Sequence, residues 1–134
     1  MKYLLDTNIC IHLFRGQHSI ADHIQEHQWE NCCISEITKA ELLFGEELAL
    51  RRGKNVPKGA VGKFVAAIEV LPISEGIELF AREKARLTCQ GSPIEDFDLL
   101  IACTAIAHNC ILVSENLKHM DRIEGLRAEN WVER

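Results

Sequence analysis

The chain has no C-x-x-C pair, no long hydrophobic run and no excess of positive charge, and each absence removes a class of function. Its six cysteines, Cys10, Cys32, Cys33, Cys89, Cys103 and Cys110, lack the spacing of metal or redox motifs. Most fall inside apolar runs, so they read as small buried hydrophobes of a reducing compartment. The longest nearly apolar stretch, Leu99 to Ala107, is far short of the roughly 20 residues that a membrane helix needs. No basic, apolar and small-residue leader precedes Asp6, so the expectation is a cytoplasmic protein with no membrane partner. A formal net charge of −5 excludes a surface that is basic all round, as in a general nucleic-acid binder, but not a local basic groove. No repeat, low-complexity segment or linker interrupts the 134 residues, which predict one domain spanning 1–134. A chain of that length buries roughly two thirds of its unfolded surface.

What is present is an alternation of short apolar runs with helical patterns. Strands are predicted at Lys2 to Leu5, Cys32 to Ile34, Ile68 to Ile73 with Pro72 near its end, and Cys110 to Val113, with a weaker one near Gly125 to Val132. Helices are predicted after the polar trio Asp6, Thr7 and Asn8 as far as Gly16, from Ser19 to His27, from a Ser35 cap to about Arg51, and from Ser74 to about Cys89. Gly53, Pro57, Gly59 and Gly62 mark a loop that leads into a further helix. Strands that are solid apolar runs, separated by helices, predict an α/β fold: a parallel sheet flanked by helices on both faces. In such sheets the functional crevice lies at the carboxyl ends of the strands, where strand order reverses, and Asp6 and Ser114 occupy such ends.

The stretch Glu95 to Cys103, EDFDLLIAC, plants Asp98 in a helix that otherwise wants burial. Ser92 as N-cap, Pro93 at the first helical position and Glu95 closing a capping box predict where that helix begins. Ile94, Phe97, Ile101, Ala105 and His108 then define an inward face, with Asp98 on or beside it. Glu41 repeats the oddity among Ile37, Ala40, Phe44 and Leu48. With Asp6 that makes three acids pointing toward a dry interior or a crevice. If they converge to about 5 Å, each pair repels by about 3 kcal/mol at an effective dielectric near 20. Protons or a divalent cation can relieve the repulsion. Oxygen-only ligands favour a hard ion, Mg²⁺ or Mn²⁺, which takes further oxygens from a phosphate and acidifies a bound water. The reaction this chemistry suits is phosphodiester hydrolysis. Taken singly, each acid has another explanation: Asp6 can cap the first helix, and Glu41 and Asp98 can pair with Lys39, Arg82 or Arg86. The cation accounts for all three at once. Glu95 reads as a capping residue and Asp96 as outward-facing. Ser114, Glu115 and Asn116 follow the last clear strand, where a hydroxyl and an amide can orient water or cap the next short helix.

Two other readings remain. His23, Ile24, Gln25, Glu26 and His27 spell H-x-x-E-H, as in inverted zinc proteases, so a zinc metallohydrolase built on His23, Glu26 and His27 is an alternative. A non-catalytic Mg²⁺-binding signalling domain of the response-receiver kind also places Asp at strand ends. It needs a lysine at the end of the last strand and an acidic neighbour for Asp6, and both are missing. Arg51, Arg52, Lys54, Lys58 and Lys63 form a run without acids between Glu47 and Glu69, either a solvated loop or a contact for phosphate or an acidic partner.

LLDTN at Leu4 to Asn8, KAELLFG at Lys39 to Gly45, DLLIACTA at Asp98 to Ala105 and LVSEN at Leu112 to Asn116 resemble, in that order, the motifs of PIN-domain ribonucleases. The closing GLRAENW at Gly125 to Trp131 further resembles the bacterial VapC toxins of that family. The resemblance covers essentially the whole chain. It implies a parallel-sheet α/β fold, Mg²⁺- or Mn²⁺-dependent endoribonuclease activity on structured RNA, often tRNA, a homodimer, and neutralisation by a small VapB-type antitoxin. The family's acidic positions carry over to Asp6, Glu41 and Asp98. Its fourth site, often aspartate, falls at Asn116, with Ser114 in the usual threonine or serine place.

Overall fold

The computed structural model describes residues 1–57 and 59–134, so Lys58 of the basic run lies outside the described residues. The chain runs β1 (Lys2–Leu5), α1 (Thr7–Phe14), α2 (Ile20–His27), β2 (Cys32–Ser35), α3 (Glu36–Arg51), α4 (Ala60–Ala67), β3 (Glu69–Leu71), α5 (Ile77–Cys89), α6 (Asp96–Ala107), β4 (Cys110–Val113), α7 (Leu117–Met120) and β5 (Ala128–Glu129). All strand pairings are parallel and the order is β3-β2-β1-β4-β5.

Successive residues of a strand face opposite sides of the sheet, and here both sides are buried. Leu4, Cys33 and Leu112 join one apolar cluster with Leu87, Leu99 and Ile101 of α5 and α6. Leu5, Ile34 and Val113 join another with Ile9, Ile24, Leu42 and Trp131. Cys10, Cys32, Cys33, Cys103 and Cys110 are buried and Cys89 is exposed, all as free thiols. Burial pushes Cys103 up to about 12, so it packs as a neutral thiol. No described helix is long and apolar enough to cross a membrane.

β1 is central. From it the chain steps outward to β2 and β3, then crosses back to add β4 and β5 on the other side. Strand order therefore reverses between β1 and β4, whose carboxyl ends carry Asp6 and Ser114.

The start of α6 differs from the sequence reading. Ser92, Pro93 and Ile94 lie outside the helix, Glu95 is the N-cap residue, and no side-chain capping bond forms there. Two Arg122 bonds explain it: Nη1 donates to the carbonyls of Ser92 and Pro93, each at 3.1 Å, taking acceptors that a longer helix would need. The first α6 bond runs instead from Leu99 N to Glu95 O at 3.0 Å. Upstream, Gly91 takes a left-handed φ of +71° and Ser92 N bonds Leu87 O at 2.9 Å, closing α5. Phe97 and Phe44, expected to face inward, are 52% and 67% exposed, and Ala40 is exposed too. α3 rests on the sheet through Thr38 and Leu42, which leaves Glu41 at the margin of a cleft. α6 buries Leu99 and every residue from Ile101 to Ala105, because it is covered on several sides.

Candidate active site

The last rung of the β1–β4 ladder sets Asp6 beside Ser114, since Asp6 N donates to Val113 O at 2.9 Å. The Asp6 side chain is buried, and its two oxygens have separate duties. Oδ1 accepts from Thr7 N at 2.8 Å and so caps α1, while Oδ2 accepts from Ser114 Oγ at 2.8 Å. The helix-cap explanation of Asp6 is thus correct and incomplete. Burial pushes Asp6 above the usual carboxylate range and the charge of Glu41 adds to the rise; the bonds from Ser114 and Thr7 pull the other way.

Glu41 is tied to the same point through Thr7. Thr7 Oγ1 donates to Glu41 Oε1 at 2.7 Å and lies 3.0 Å from Thr38 Oγ1. Thr38 is fully buried, and its backbone N–H bonds Ser35 Oγ at 3.1 Å, the N-cap of α3. Asp98, the third residue of α6, is half-buried. Burial first, then the charges of Asp6 and Glu95, raise its pKa, and His119 acts in the opposite sense. The dipole of α6 also favours a carboxylate in the first turn.

Among the described residues, the ion pairs fall on other acids and none involves Asp6, Glu41 or Asp98. Arg86, a candidate partner from sequence, is taken by Glu83 and Glu124. The separate rescues do not form. Glu41 and Asp98, with Glu95, Lys84 and Phe97, line an open cleft of about 520 Å³. Thr7 and Ser114 hold Asp6 and Glu41 in place without cancelling their charge. Asn8 Oδ1 is buried with no hydrogen-bond partner among the described residues, and the Asn8 amide nitrogen stands 3.5 Å from Asp6 Oδ2. An all-oxygen donor set, uncompensated charge and an orphaned oxygen fit a hard divalent cation.

Ser114 is fully buried and links the site to the start of α7, since its Oγ also accepts from Asn116 N at 3.0 Å. Asn116 precedes α7 but its side chain makes no capping bond, and Glu115 turns away to His12 and Arg134, each at 2.7 Å. The end of β4 carries this serine, where a response receiver needs a lysine. His23, Glu26 and His27 do cluster, with ligand atoms all within 4.8 Å of one another; the acidic trio is not gathered as tightly. That histidine group packs on Tyr3, three residues back along β1 from Asp6 and so roughly 10 Å away.

Thr7, Thr38, Glu95 and Lys84 are site residues that sequence reasoning missed. Thr7 follows Asp6 directly and Thr38 lies one helical turn before Glu41, so both had a positional signal. Glu95 reads as a cap from sequence and Lys84 on α5 carries no signal, yet both line the cleft. Asp96, expected to face outward, instead lies on the cleft wall, where it pairs with Lys84 at 2.9 Å.

The PIN domain family profile matches residues 3–126. A tRNA(fMet)-specific endonuclease VapC from Salmonella typhimurium is 32% identical over 135 residues, covering 98% of each chain. A ribonuclease VapC2 from Haemophilus influenzae is 34% identical over 134 residues, covering 98% of this chain and 99% of its own. Among solved structures, DNA-bound VapBC from Salmonella typhimurium superposes with a TM-score of 0.85 at 31% identity, over 98% of each chain.

Proposed function

The chain belongs to the PIN-domain family, among its VapC ribonucleases, and from that premise we propose that it is an endoribonuclease toxin that cuts RNA with Asp6, Glu41 and Asp98 at the cleft that Glu41 and Asp98 line. What supports the assignment is that Asp6, Glu41 and Asp98, from the end of β1, from α3 and from α6, lack ion-pair partners and act on one another: Thr7 links Asp6 to Glu41, the charge of Glu41 bears on Asp6, and that of Asp6 on Asp98. tRNA is the substrate class, as the name of the Salmonella relative suggests. A VapB-type antitoxin neutralises the enzyme, as the VapBC complexes of its structural neighbours suggest; the family resemblance of its motifs makes the working unit a homodimer.

Asp6, Glu41 and Asp98 would hold one or more divalent cations, Mg²⁺ or Mn²⁺, which when bound supply Lewis-acid polarisation of the phosphoryl group and a more acidic water. The chain's own residues do the positioning. Ser114 fixes the rotamer of Asp6 and favours its ionised form; Thr7 orients Glu41 and couples the two. Asn116, held through its backbone by Ser114, presents a free amide where a fourth acid often stands. Lys84, on the rim with Asp98, supplies positive charge that a phosphate can meet once Asp96 is displaced.

Purified protein incubated with total tRNA and Mg²⁺ tests this. Cleavage should appear, disappear with EDTA, return with Mn²⁺, and be lost in Asp6→Asn, Glu41→Gln and Asp98→Asn proteins that keep a native circular-dichroism spectrum. Wild-type cleavage by Asp98→Asn overturns the site.

A further inference from the structure

We propose that the chain carries a second, separate cation site for zinc or a similar borderline metal, formed by His23, Glu26 and His27 of α2 with Glu133 of the C-terminal segment. The three side chains of α2 share one helical face at spacings of three and four, and their ligand atoms all lie within 4.8 Å of one another. The two imidazoles are held in place before any ion arrives. His27 Nδ1 bonds the His23 carbonyl at 2.8 Å, which makes Nδ1 the protonated nitrogen and leaves Nε2 with a free lone pair. Both imidazoles stack on the buried Trp131 indole, with centroids at 4.5 Å for His27 and 5.4 Å for His23.

Glu133, exposed and outside the group within 4.8 Å, touches it at His23 and would swing in as the fourth ligand. Its Oε1 lies 3.1 Å from His23 Nε2, close to the roughly 3.3 Å that separates two ligands of a tetrahedral zinc with bonds near 2.0–2.1 Å. A cation entering there takes the place of the proton shared by those two atoms, and that proton leaves to solvent. Two imidazoles and two carboxylates select zinc, cobalt or nickel over the magnesium suited to the all-oxygen cleft. Four protein ligands also close the coordination sphere, so this is a clamp and not a hydrolytic centre. It joins α2 to a segment already anchored by His18 Nδ1 to the Glu133 carbonyl, at 2.8 Å, and by Trp131 in the core.

The test measures Zn²⁺ alone, by equilibrium dialysis against the full chain carrying Asp98→Asn, with millimolar Mg²⁺ present. One Zn²⁺ per chain is expected, with a rise in Tm that follows mass action. His23→Ala and His27→Ala should each weaken binding at least tenfold. Should either fail to fold, the exposed Glu26→Gln and Glu133→Gln decide, each weakening binding several-fold with an unchanged spectrum. Cys89→Ser should change nothing. Zinc binding that survives His27→Ala, that vanishes with Cys89→Ser, or that magnesium displaces would overturn the site, as would no binding at all. RNA cleavage is read separately, so failure of either assignment leaves the other standing.

Discussion

Asp6 must cap a helix and also stay ionised at 3% exposure, and burial works against the second duty. The consequence for stability has a definite sign. Asp6 and Asp98 both have folded pKa values raised above the ordinary carboxylate value of 3.8. Their favourable contribution is therefore complete below that value and is lost as pH rises through the raised folded pKa. Asp6→Asn should melt above the wild type at pH 7 in EDTA, with the gap closing toward pH 4. A gap that widens on acidification would contradict the burial argument. Ser114 acts in the opposite direction, because its hydroxyl lowers the pKa of Asp6. Ser114→Ala should move the acid limb of the pH–rate profile upward and cut activity about 10- to 100-fold, the usual cost of losing a supporting hydrogen bond. An unmoved limb would mean that Ser114 only fills space.

The element that matters most is α6, and its register depends on contacts far along the chain. Arg122, from the segment between α7 and β5, holds the Ser92 and Pro93 carbonyls and postpones the helix until after Glu95. The capping-box pattern was legible and local, yet a long-range guanidinium outcompeted it. On the other side of α6, Gly76 packs its backbone against Cys103 and Thr104. A Cβ there would stand 3.0 Å from the Cys103 carbonyl carbon and oxygen and 3.2 Å from Thr104 N. These are backbone atoms that cannot rotate away, so Gly76→Ala should cost roughly 1–3 kcal/mol, the usual range for overpacking. Urea melts read the loss directly, and a variant as stable as wild type would show that α5 and α6 can part at little cost. Because α6 carries Asp98, cleavage should fall along with stability.

For the molecule as a whole, topology does what no single element can: it places a strand end, a long helix and a late helix around one opening. Phe97 lines that opening and Phe44 lies on α3 one turn after Glu41; they are 52% and 67% exposed. Phe44→Ser touches no core, so stability should hold within about 0.5 kcal/mol. Neutralisation by the cognate antitoxin should nevertheless weaken while cleavage persists. Equal protection of both proteins in a titration of antitoxin against RNA cleavage would remove Phe44 from that contact. The inactive Asp98→Asn protein should sediment at twice the monomer mass of 15.2 kDa, and a species at 15.2 kDa would rule out the homodimer.

By itself the sequence determined the strands, nearly all the helices and the parallel sheet, and it singled out Asp6, Glu41 and Asp98 as candidates. Those features rest on short-range physics: apolar runs of strand length, serine and aspartate caps, and carboxylates out of place among hydrophobes. Only the tertiary structure decided where α6 begins, that Phe44 and Phe97 face outward, and that Thr7 and Ser114 bind the acids while Glu95 and Lys84 enter the cleft. Each of these depends on which distant group reaches a given atom first, and helical spacing carries no record of that competition.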